Sequence, residues 1–149
     1  MTKKAFAYIE LFAILALIAI MIGIIIPYYI HMKYVCNSRV VLRELRILKT
    51  AVNSYYENRK PKAYPLATSN LCAEYLLYTK PQIIKNILYD PFAKGRQGYH
   101  YAVSPGGKSY CIWSVGIDRR SDIEGVDDTG EVAIKKNSKN IYLTTMRDL

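Results

Sequence analysis

The sequence predicts an α+β protein: a long N-terminal helix packed on a small head made of short helices and an antiparallel sheet. Three observations predict it. An apolar run of 22 residues, Ala5–Ile26, opens the chain. A helix-period apolar stripe follows it directly, and alternating, turn-flanked strand patterns appear only after residue 98. The chain has 149 residues, 51% of them hydrophobic, yet carries a formal net charge of +9. Position reconciles the two: the apolar excess lies in the first 27 residues and the Lys and Arg are spread through the rest. Without the apolar segment, about 120 residues remain, enough for one modest core. No basic stripe with regularly interleaved aromatics is present, so the charge reads as a solvated surface facing anionic lipid or a polar partner, and nucleic acid is not an expected partner.

The Ala5–Ile26 run contains one charged residue, Glu10, and at ~1.5 Å per residue it crosses a hydrocarbon core as a helix. Lys3 and Lys4 precede it, which keeps the N-terminus cytoplasmic and sends the rest outward. No small-x-small cleavage site follows the run, since Ile24, Ile25 and Ile26 lead straight into Pro27. The apolar segment is therefore expected to stay in the mature protein. A carboxylate inside a membrane helix costs about 2.5–3.5 kcal/mol, so Glu10 calls for a partner or a route to the headgroup water. Pro27 lacks the N–H that would bond the Gly23 carbonyl, and Gly23 itself weakens helix by roughly 1 kcal/mol relative to Ala. That turn is the expected place for a kink, or it marks the membrane exit, with Tyr28 and Tyr29 as an interfacial belt.

From residue 28 to about 60 the helix continues as an amphipathic segment. Val41, Leu45, Leu48, Val52 and Tyr55 follow the i, i+4, i+7 rhythm, with Arg43, Glu44, Arg46 and Lys49 on other faces. Asn58-Arg59-Lys60-Pro61 ends it. In the head, 61–134, Leu71–Tyr78 and Pro81–Leu88 read as two short helices, Pro81 suiting a first turn. Tyr99–Val103 and Ser109–Val115 read as a hairpin around Ser104-Pro105-Gly106-Gly107, with weaker strands at Glu131–Ile134 and Ile141–Thr144. Residues 135–149 form a basic, polar tail. The odd count of Cys36, Cys72 and Cys111, with no C-x-x-C, argues against zinc. Outside the cytoplasm a Cys72–Cys111 disulfide is open, while the alternation of Cys111 with Trp113 and Val115 suits a core thiol.

Six of the twelve acidic residues crowd into 118–131: Asp118, Asp122, Glu124, Asp127, Asp128 and Glu131. Oxygen-only ligands with Gly116, Gly125 and Gly130 for tight turns suit a hard cation, calcium over zinc, although the spacing is not that of an EF-hand. Arg119 and Arg120 offer the other resolution, internal neutralisation in a plain solvated loop. No Ser-His-Asp or Cys-His arrangement, phosphate loop or HExxH is present, and His31 and His100 read as surface or packing residues, so no enzyme is expected.

The run Lys3-Lys4-Ala5-Phe6-Ala7-Tyr8-Ile9-Glu10-Leu11 resembles the processing signal of type IV pilins and type II secretion pseudopilins. In that family a short basic leader (here 1–5) is removed before a Phe, which is N-methylated, and a Glu follows four residues later. The family has Gly before the cut where this chain has Ala5, the next smallest side chain. Gly23 and Pro27 fall where the family often has Gly and Pro. Tyr55-Tyr56-Glu57-Asn58 and Tyr64-Pro65 resemble its helix end and following segment. Tyr89-Asp90-Pro91-Phe92 resembles the Asp-Pro-aromatic motif of the major pseudopilin. Ser114-Val115-Gly116-Ile117-Asp118 is similar to the run that opens the pseudopilin calcium loop, here 116–131.

The resemblance implies a type IV pilin-like fold and cleavage by a separate prepilin peptidase after Ala5, freeing the Phe6 amine. It implies that Glu10 pairs with that amine on a neighbouring subunit, with Gly23 and Pro27 in the assembly helix. Asp118, Asp127, Asp128 and Asp122 become the expected calcium ligands. The implied partners are further copies of the chain, minor pseudopilins and an inner-membrane secretion platform. The expected place is the bacterial inner membrane, single-pass, with the head in the periplasm. A type IV pilin for adhesion, motility or DNA uptake is the nearest alternative. An unprocessed, monomeric membrane-anchored binding domain is the alternative of a different class.

Overall fold

The computed structural model describes residues 2–68 and 71–145, the side chains of residues 2–7 and 73 excepted. The order of elements is helix α1 (Thr2–Asn58), a π-helical turn (Cys72–Leu76), and strands β1 (His100–Val103), β2 (Tyr110–Ser114), β3 (Ile123–Val126), β4 (Val132–Ile134) and β5 (Ile141–Thr144). This is the α+β class expected. The chain divides into two compact units, residues 1–36 and 37–149. The first consists of the opening part of α1; the second contains the rest of α1 and the head.

Within the second unit, the apolar stripe of α1 buries as its spacing dictates. Val41, Leu45 and Val52 are fully buried and Leu48 almost so, while Arg43 and Arg46 stay exposed. The four apolar residues share one core with Leu71, just before the π-helical turn, with Leu76 inside it, and with Tyr110, Ile112 and Leu143 of the sheet. The sheet is antiparallel in the order β1-β2-β5, with Tyr101 opposite Ile112 and Ile112 opposite Leu143. Central β2 is buried along its whole length. Because successive strand side chains point to opposite faces, Tyr110 and Ile112 join the α1 core. Cys111 and Trp113 instead form a second cluster with Ile123 and Val126 of β3. β3 and β4 make a separate two-stranded ribbon, irregular between Ile123 and Gly125.

Hydrogen bonds fasten α1 to the head. Tyr99 Oη donates to Glu44 Oε2 at 2.6 Å and Tyr110 Oη to Asn53 Oδ1 at 2.8 Å. Burial first, then the bond to Glu44, push the Tyr99 phenol well above its ordinary value, so it stays a donor.

Three expectations change. Pro81–Leu88 is not helical: it runs irregularly, burying Ile84 and packing Ile83, Ile87 and Leu88 against the core. Its apolar spacing resembles a helix, but so short a segment gains little from helix formation against its nucleation cost, and burial decides. Leu71–Tyr78 contains only the five-residue π-helical turn. The interval 116–131 is not one loop, because β3 lies inside it; Glu124-Gly125 masks a strand that Ile123 and Val126 anchor by burial. The two weaker strands are present: β4 lies within Glu131–Ile134, and β5 is Ile141–Thr144, which pairs with β2 and buries Leu143 and Thr144.

Candidate functional site

In the first unit, α1 carries large apolar side chains exposed in succession, among them Ile9, Phe12, Ile20 and Ile24, each at least 65% exposed. Glu10 is exposed in the same stretch. It is the one described helix long and apolar enough to cross a membrane. The helix continues through Pro27 without interruption. A Cβ built on Gly23 meets nothing within 4 Å among the described residues, so no packing among them requires glycine there. The backbone of Ala5 and Phe6 is helical, and their side chains lie outside the described residues.

The expected calcium ligands are dispersed over two turns and the segment that precedes β3. Asp118 lies in the turn after β2, where Oδ1 accepts the Arg120 N–H at 3.4 Å. Asp122 precedes β3; its N–H donates to Asn140 Oδ1, and its carbonyl accepts the Lys135 N–H. Asp127 and Asp128 occupy the β3–β4 turn. Asp127 Oδ1 accepts the Thr129 hydroxyl at 2.7 Å and the N–H groups of Thr129 and Glu131. The Thr129 hydroxyl first, with the backbone donors adding to it, holds the Asp127 carboxyl below its ordinary value. Asp128 Oδ1 accepts the Gly106 N–H, tying this turn to the β1–β2 turn. Among the described residues no group of three or more His, Cys, Asp and Glu side chains is arranged to hold a metal ion.

What organises this end of the head is a carboxylate of the Asp-Pro-aromatic motif. Asp90 is 2% exposed, and both of its oxygens accept. Oδ1 takes the Phe92 N–H and the Ser114 hydroxyl, and Oδ2 takes the Val115 N–H, all at 2.9 Å. The Asp90 N–H donates to Gln97 O and its carbonyl accepts from Ala93, closing the 90–97 turn. Asn140 is the second tie. Its Nδ2 donates to Ser114 O and Arg120 O while its Oδ1 accepts from Asp122 and Ser138. Gly116 completes the junction: its φ is +69°, and a Cβ there would lie 2.2 Å from the Lys139 carbonyl oxygen. Asp90 belongs to the Asp-Pro-aromatic motif, but the spacing of that motif alone gives no sign that the carboxylate reaches β2. No local signal singled out Asn140.

His100 stacks on Trp113, with ring centroids 5.4 Å apart. All three cysteines are free thiols; Cys72 and Cys111 are buried in different clusters, the core-thiol outcome.

No family model, curated protein or solved structure matches the chain. Within the second unit, residues 37–58 of α1 pack on the small antiparallel sheet, a layout compatible with a pilin-like fold.

Proposed function

We propose that the chain is a structural subunit of a type IV pilin-like filament, held in a membrane by the first part of α1 and polymerising through it. The observation that carries this reading is the exposed apolar surface of α1 with Glu10 as the one charge in Ala5–Ile26. A simple anchor needs apolar area but gains nothing from a carboxylate at that depth. A filament subunit has a use for it: Glu10 attracts the Phe6 amine of a neighbour, released by cleavage after Ala5. In hydrocarbon that attraction is weakly screened and offsets the cost of burying both charges. The pair also sets axial register, which apolar packing alone does not. Gly23, with open space around it, leaves room for a neighbouring helix. The resemblance of the Asp90 and Ser114–Asp118 motifs favours the major pseudopilin of a type II secretion system over a surface pilus.

Two measurements test this. Mass spectrometry of the mature N-terminus should find a methylated Phe6; an intact leader on a monomeric protein would favour the anchored-domain reading. Glu10→Val should leave membrane insertion intact and abolish filaments; normal filaments from this variant refute the pairing. Calcium in 116–131 is a separate proposal that rests on the resemblance of Ser114–Asp118. Calorimetric titration of the full chain in detergent with calcium to the millimolar range tests it, and the absence of heat removes it.

A further inference from the structure

The turn closed by Asp90 and the turn after β2 form the two sides of a cleft of about 480 Å³. Lys94 and Gln97 line it from the first turn, and Val115, Asp118, Arg119 and Arg120 from the second. Lys94, Arg119 and Arg120 are exposed, and among the described residues none of the three forms an ion pair. Three cations therefore face one carboxylate. Like charges of this kind repel, yet the backbone holds them together. Arg119 sits in the left-handed region at φ 56°, with its N–H on the Gly116 carbonyl. Asn140 Nδ2 grips the Arg120 carbonyl at 2.7 Å, and Asp90 joins the two turns through Val115 N–H and Gln97 O.

We propose that this cleft is a binding site for a phosphate group. Guanidinium groups offer paired N–H donors matched to phosphate oxygens, and Lys adds a point charge. The anchored backbone keeps the cost of collecting the three charges out of the binding step. Gln97, which also lines the cleft, carries a neutral amide donor. Among the described residues no aromatic side chain lines the cleft, so it lacks the stacking platform that single-stranded nucleic acid requires. A compact phosphate, free or on a lipid headgroup, fits this chemistry better than a polynucleotide. Asp118 opposes the ligand and limits its affinity.

The test uses the full chain in zwitterionic detergent, titrated calorimetrically with pyrophosphate at low ionic strength. Saturable binding is expected. Arg119→Gln with Arg120→Gln should weaken it at least about tenfold, whereas the Lys pair at these positions should retain part of it. Asp118→Asn should tighten binding by about threefold or more through removal of a like charge. Lys135→Gln with Lys136→Gln, outside the cleft, should change it by less than about twofold. Competition by dihexanoyl phosphatidylglycerol, but not the phosphatidylcholine analogue, assigns a lipid headgroup; binding of pyrophosphate without that competition assigns a free phosphate. Absence of saturable binding overturns the proposal. So does equal weakening by the Lys135/Lys136 pair, or duplex DNA binding that both pairs weaken alike, since either describes a diffuse basic surface.

Discussion

Replacing Asp90 should destabilise the head more than replacing any of the expected calcium ligands. The side chain is buried and accepts three hydrogen bonds, from Phe92 N–H, Ser114 Oγ and Val115 N–H. Bonds to a charged acceptor contribute roughly 1.5–3 kcal/mol each, and a buried donor left without a partner costs about 1–3 kcal/mol. Three donors share one site and are not independent, so Asp90→Ala should cost about 3–6 kcal/mol in all. A domain of this size is stable by only about 5–15 kcal/mol, so this loss is a large fraction of the total. Asp90→Asn is the finer probe. Its one oxygen, placed at Oδ1, keeps Phe92 and Ser114, while its NH₂ then faces the Val115 N–H, donor against donor. Its cost should be about 1–3 kcal/mol. Urea unfolding of the full chain in detergent, followed by the fluorescence of the single tryptophan, Trp113, measures both. Trp113 is a suitable reporter because it precedes Ser114, whose hydroxyl donates to Asp90, and its own Nε1 donates to Ser121. A cost below about 1 kcal/mol for Asp90→Ala, or a larger cost for Asn than for Ala, would refute the reasoning.

Gly116→Ala should lower the melting temperature, combining a left-handed penalty of about 1–2 kcal/mol with a clash against the Lys139 carbonyl; an unchanged melting curve contradicts the geometry. Cys36 alone should react with a thiol reagent in the folded chain, because burial pushes Cys111 up to about 12 and raises Cys72 as well. All three thiols should react in urea, and a second fast thiol in the folded protein would count against the two-cluster packing. Asp127, with its folded pKa lowered, supports the β3–β4 turn fully above the unfolded value of about 3.9 and loses that support as pH falls through the lower folded value. Protection of the Thr129 and Glu131 amides against exchange, relative to their intrinsic rates, should fall in that acid window in the native chain and at neutral pH in Asp127→Asn; unchanged protection in the variant removes the role.

The helix and the main hairpin were legible because their signals are local. A 3.6-residue apolar period runs from Val41 to Tyr55 beyond the apolar N-terminal segment, and the helix ends at Asn58, where Asn58–Pro61 marks a stop. β1 and β2 appear as alternating runs bounded by turn residues, and they pair as the expected hairpin. The elements misread were those whose state depends on remote partners. Pro81–Leu88 has a helical apolar spacing but gives its isoleucines to a core supplied by α1 and the sheet. β3 has too weak a local pattern to declare itself, and it exists because Ile123 and Val126 cover Cys111 and Trp113.

The same division runs through the candidate sites. One carboxylate in an apolar run is visible in the order of residues alone, because hydrocarbon makes its cost independent of the rest of the fold. The expected calcium ligands were grouped by closeness in sequence, but strand pairing separates Asp118 and Asp122 from Asp127 and Asp128. Conversely, Lys94 joins Arg119 and Arg120 only because Asp90 bonds to Val115, 25 residues further along the chain. Sequence by itself determined the membrane-length helix, its amphipathic continuation and the α+β class, all consequences of periodic burial. Only the tertiary structure decided which charges meet, because that depends on buried hydrogen bonds between segments with no periodic relation to one another.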